Sequence, residues 1–74
     1  MSNSEQEKIR VSIGLKIKAL REAKKLTQAE LADLAGIKVN YFAMIERGEV
    51  NFTFDKIYRI IKALKIKASQ VLPF

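Results

Sequence analysis

Two residue types that carry much of protein chemistry are missing from this chain. Its 74 residues contain no cysteine and no histidine. Without cysteine there are no disulfides and no thiolate metal sites. Without histidine, the usual general base at neutral pH, the commonest metal ligand and every Ser-His or Cys-His arrangement are excluded. Carboxylates and lysines remain, but no pair is spaced to suggest catalysis, so the expectation is a non-enzyme without cofactor or metal. Apolar runs reach only a few residues, too short to span a membrane. The stretch MSNSEQEKIR lacks the apolar core of a signal peptide, so the expected compartment is cytoplasmic. Proline occurs once, at Pro73, and no linker, repeat or low-complexity segment divides the chain. Residues 1–74 therefore read as one small domain, near the lower size limit for a core without staples. Its stability must come from well-packed helices or from oligomerisation.

Positive charge is what the chain has in excess. Fourteen Lys and Arg stand against eight Asp and Glu, for a net charge of +6 and a pI near 9.8. That balance favours a polyanionic partner, nucleic acid first and an anionic membrane surface second. A well-solvated basic surface accounts for the same numbers.

Helix formers dominate and strand-like alternation is poor, which predicts an all-α fold of five short helices. Helix one starts near Glu5 to Lys8, with Ser4 and Glu7 as a capping box, and ends near Lys25. Ile9, Ile13, Ile17 and Leu20 form its apolar stripe. Gly14 costs about 1 kcal/mol in a helix relative to alanine, so a start near Ile13, with residues 1–8 as a loose arm, is the alternative. Val11, Leu15 and Ala19 make a weaker stripe on the opposite side, read as scattered surface apolar residues. Thr27 with Glu30 forms a capping box for helix two, whose inward residues are Leu31, Ala32 and Ala35. Gly36 ends that helix, and helix three follows from Val39 to Arg47 with Phe42 and Ile45 inward. Thr53 caps helix four, in which Phe54, Ile57, Ile60, Ile61 and Leu64 form a broad apolar face. A last short helix spans Ala68 to Leu72.

Two short helices around a glycine-containing turn make residues 27–47 a helix-turn-helix pattern. Small Ala32 and Ala35 permit close approach, Gly36 makes the corner, and Ile37 plugs the angle. The outward face of helix three is Val39, Asn40, Ala43, Met44 and Arg47. So few charges suit insertion into a major groove. Small helical bundles also produce this generic pattern.

The longer string LREAKKLTQAELADLAGIKVNYFAMIERGEVNFTFDKIYRIIKALKI is more specific, and it resembles the XRE/Cro-type helix-turn-helix family of phage repressors and Cro proteins. The resemblance covers about Ile13 to Leu72. It implies a compact five-helix, lambda-repressor-like fold and a double-stranded DNA operator as partner. By that resemblance Gln28 is a phosphate contact at the start of helix two, where unpaired backbone N–H groups also favour anions. Val39, Asn40, Ala43 and Met44 take the base-reading positions. Asn40 is suited to adenine and Val39 to a thymine methyl. Lys38, Tyr41, Arg47 and Asn51 stand as phosphate anchors, and Arg21 with Glu46 as a partly buried ion pair tying helix one to helix three. There are departures from the family pattern. Lys38 replaces a Ser/Thr cap, Phe52 stands where proline is common, and Lys65 replaces the glycine after helix four. Lys65 must therefore turn left-handed, or the helix must end differently.

One helix-turn-helix reads few base pairs, so the resemblance further implies a homodimer on a (pseudo)palindrome. Tyr58, Ile61, Val71, Leu72 and Phe74 are the expected interface, with Phe74 folded back on its own core as the competing reading. RNA polymerase or a toxin is a further candidate partner. Restriction–modification controller proteins and small phage repressors share the chain's size, as do some antitoxins. The rival function is an antitoxin-type protein-interaction module with secondary DNA binding. A second rival is a basic helical protein that binds RNA or membrane without sequence preference.

Overall fold

Capping residues and apolar spacing set out four α-helices and one 3-10 turn in a computed structural model that describes residues 3–73, residues 3 and 4 by their backbone alone. They are α1 (Asn3–Ala23), α2 (Gln28–Ala35), α3 (Val39–Glu46), α4 (Phe54–Leu64) and the 3-10 turn Ala68–Gln70. The all-α expectation holds. The fifth helix expected at Ala68–Leu72 is instead that single short turn.

The first helix starts at Asn3, slightly before the expected Glu5 to Lys8, and the alternative start near Ile13 is set aside. Residues 3–8 are helical, so no loose arm is present among them, and Ser4 lies inside the helix rather than at its cap. Gly14 does not break α1, because its lack of a side chain is used elsewhere. A Cβ there would lie 2.6 Å from the carbonyl oxygen of Ile45 and closer still to that of Glu46. The backbone of α1 thus presses directly on the C-terminal turn of α3.

The second helix behaves as its sequence dictates. Thr27 Oγ1 accepts from the Glu30 amide at 3.0 Å, and Glu30 Oε1 accepts from the Thr27 amide at 2.8 Å. These reciprocal bonds hold the Glu30 carboxyl below its ordinary value, chiefly through the Thr27 backbone. At the other end Gly36 has φ +69°, and the amides of Gly36 and Ile37 close on the carbonyls of Asp33 and Ala32. This left-handed closure frees the chain to leave at an angle.

The same closure ends α1 at Lys25 (φ +58°) and α4 at Lys65 (φ +57°). For a residue with a Cβ, the left-handed conformation costs about 1–2 kcal/mol. Lys65 takes the first of the two alternatives its sequence allowed, and Lys25 repeats it. Lys65→Gly is expected to stabilise the fold by about 0.5–1 kcal/mol, the relief exceeding the entropy glycine adds to the unfolded chain. Thermal melting checks this, with a rise of a few degrees expected.

The core joins Ile13 and Ile17 of α1, Leu31, Ala32 and Ala35 of α2, Phe42 and Ile45 of α3, and Ile57, Ile60 and Leu64 of α4. Ile37 fills the corner as expected. α2 packs against both α3 and α4, and α1 against α3. Two corrections concern the C-terminal half. Phe54 is 82% exposed, so it does not share the inward face of α4. Val71 is fully buried in the chain's own core and offers no area to a partner, which removes it from the expected interface. Leu72 and Ile61 are half-buried against the core, and Tyr58 is exposed. Phe74 lies outside the described residues.

Candidate nucleic-acid interface

The outward face of α3 begins from what its inward face needs. Phe42 and Ile45 are sealed into the core, which fixes the helix's rotation about its own axis. Val39 and Asn40 are then exposed, and Ala43 and Met44 are half-buried beside them. These are the four expected base readers, brought together on one face. Lys38, an exposed residue, precedes them at the N-cap, where its side chain makes no capping bond.

A buried ion pair locks the other end. Arg21 Nε donates to Glu46 Oε2 at 2.7 Å and Nη2 donates to Oε1 at 3.2 Å. Nη1 donates to the Leu26 carbonyl at 2.7 Å. The hydrogen bonds that Arg21 gives to Glu46 raise the Arg21 pKa above its ordinary value against the opposing effect of burial. Such a two-pronged pair fixes direction as well as distance. Gln28 Nε2 also donates to Glu46 Oε1, at 2.9 Å. One amide hydrogen of Gln28 is thereby engaged and its carboxamide plane set. A primary amide has a second hydrogen to give, so Gln28 keeps a donor for an anion. No buried side-chain nitrogen or oxygen among the described residues is left without a partner.

The loop after α3 is held from α1. Arg10 Nη1 donates to Asn51 Oδ1 at 2.9 Å, and Arg10 Nε reaches the Gly48 carbonyl at 3.5 Å. With its oxygen occupied, the Asn51 amide nitrogen is the group left to donate. Tyr41 Oη donates to the Asn51 carbonyl at 3.2 Å. The single hydroxyl hydrogen of Tyr41 is therefore engaged, and contact with an anion requires it to turn. Arg47 is exposed and pairs with Glu49, its Nε 2.9 Å from Oε2 and its Nη2 2.9 Å from Oε1. That pairing raises the Arg47 pKa and lowers that of Glu49.

Sequence reasoning missed Arg10 and Glu49. For Arg10 a signal exists once α1 is known to be continuous. Arg10, Gly14, Ile17 and Arg21 recur at four, three and four residues, the spacing of a single helix face. No spacing rule marks Glu49. Among the described residues no group of three or more acidic side chains is arranged to hold a metal ion, and no helix is long and apolar enough to cross a membrane.

A helix-turn-helix family model matches residues 17–71. The chain is 36% identical over 62 residues to the immunity repressor protein of Bacillus phage phi105, a match spanning 84% of this chain and 43% of the repressor. It is 34% identical over 67 residues to the control protein C.BamHI of Bacillus amyloliquefaciens, covering 89% of this chain and 83% of that one. The crystal structure of the restriction-modification controller protein C.AhdI from Aeromonas hydrophila matches with a TM-score of 0.81 at 34% identity, over 84% of this chain and 94% of the other. The chain thus spans less than half of the phage repressor and most of each controller.

Proposed function

The chain belongs to the helix-turn-helix family, and on that premise we propose that it is a transcriptional regulator that binds double-stranded DNA with α3 in the major groove. One observation carries the reading. α3 has an outward face with few charges, and a buried ion pair and a glycine contact fix that face against the rest of the fold. Val39, Asn40, Ala43 and Met44 face the base edges. Gln28, Lys38, Tyr41, Arg47 and Asn51 anchor the backbone around them. The net charge of +6 supports the same partner.

The regulator acts in the cytoplasm as a homodimer on a (pseudo)palindromic operator. Two recognition helices about 34 Å apart would enter successive turns of one groove face. The supporting surface is on α4. Phe54, Tyr58 and Ile61 stand four and three residues apart, and Leu34 lines the groove beside Tyr58. Phe54 and Leu34 are additions to the expected set, replacing the buried Val71.

Two substitutions separate reading from anchoring. Asn40→Ala is expected to narrow the affinity gap between a selected site and random DNA by about 1–3 kcal/mol. Arg47→Ala is expected to weaken both and to flatten the salt dependence by about 0.9 in slope. Titrations of both DNAs over a range of salt measure this. Undiminished discrimination by Asn40→Ala would remove Asn40 from the reading face.

A further inference from the structure

A groove between α1, the start of α2 and the end of α3 is lined by Lys18, Gln28, Glu46, Arg47 and Glu49. It collects donors suited to a phosphate, yet an anion of the protein's own is already at its lip. Both Glu49 carboxylate oxygens meet the Arg47 guanidinium, in the two-pronged geometry a phosphate would use. We infer that Glu49 is an intramolecular stand-in for a DNA phosphate, which must leave Arg47 before Arg47 can engage the backbone.

This deepens the reading of Arg47 as a phosphate anchor and rests on it. The side chains are half-exposed, 55% and 51% of their full area, so neither is fixed by packing and exchange is open to solvent. An exposed pair is weak, so the exchange tunes affinity rather than forbidding binding. Its consequence is a lower general attraction for any duplex. Backbone contact costs the Arg47–Glu49 pair and brings a freed carboxylate close to the DNA. What remains to separate one sequence from another is the contribution of the α3 reading face.

The test is a double-mutant cycle on a duplex of random sequence, with salt titration and a melting check on each variant. Glu49→Gln is expected to bind about two- to five-fold tighter, the scale of an exposed ion pair, with a salt slope steeper by up to about 0.9. In an Arg47→Ala background the same change is expected to lose most of that gain, because no guanidinium remains to be freed. A Glu49→Gln variant that binds equally or more weakly overturns the inference. So does a gain that persists in full without Arg47, which marks plain charge repulsion. Both of those results leave the phosphate role of Arg47 standing. If Arg47→Ala alone changes neither affinity nor slope, the anchor reading itself falls, and the inference with it.

Discussion

Replacing Glu46 with alanine is expected to destabilise the fold by about 3–5 kcal/mol, the scale for breaking one side of a buried ion pair. Whole domains of this size are stable by about 0.05–0.15 kcal/mol per residue, so the loss takes a large part of the total. The reason is what stays behind. Arg21 keeps its charge and its bond to Leu26, but the two donors aimed at Glu46 lose their acceptor in a buried site. Gln28 loses its acceptor as well. Thermal melting is expected to fall by about 4–8 °C per kcal/mol for a domain this small. Arg21→Ala is expected to shift melting in the same direction, leaving a buried carboxylate that only Gln28 contacts. DNA affinity is expected to drop in both variants even where they remain folded, because α3 is no longer aimed. Unchanged melting in both would contradict the role assigned to the pair.

Gly14→Ala is the second large effect, and there two terms oppose one another. In an exposed helix interior, alanine would gain about 1 kcal/mol over glycine. Here the new Cβ would sit 2.6 Å from the Ile45 carbonyl oxygen and nearer to that of Glu46, against backbone that cannot rotate away. Overpacking of this kind costs about 1–3 kcal/mol and more where the obstacle is rigid. The steric term is expected to win, so melting falls and α3 is pushed away from α1. That displacement bears on Arg21–Glu46 as well, since the pair lies along the same contact. Urea denaturation measures the sign directly, and a stabilised variant would mean that α1 and α3 are not in backbone contact.

Gly14 also shows where a sequence stops being legible. Its local meaning, a weak point in a helix, left a late start to α1 open as the alternative. Its actual use is a contact with residues far along the chain, which no local pattern encodes. Arg10 is hidden for the same reason, because its partners Gly48 and Asn51 also lie far along the chain. By contrast, the Thr27–Glu30 box, the Gly36 corner and the inward Phe42 and Ile45 rest on rules spanning a few residues, and they came through intact. Helix four was half legible. Ile57, Ile60 and Leu64 follow the core spacing, but Phe54, four residues before Tyr58, lies with it on the outer side. Hydrophobicity alone cannot say which of two apolar stripes faces in. Val71 was misplaced for a related reason, since a short C-terminal turn has too little periodicity to declare a face. The four residues expected to read bases share the outward face of α3 because the motif fixes their register. What each contacts depends on a partner that the fold only prepares for.

That dependence makes selection from a pool of random duplexes the most direct test. The purified protein, mixed with the pool at moderate salt and taken through rounds of recovery and sequencing, is expected to enrich one motif. Its two half-sites should be related by a two-fold axis and spaced about one helical turn, 10–10.5 bp, centre to centre. Recovery without enrichment of any motif, or no retention of duplex DNA, would contradict a base-reading role for α3.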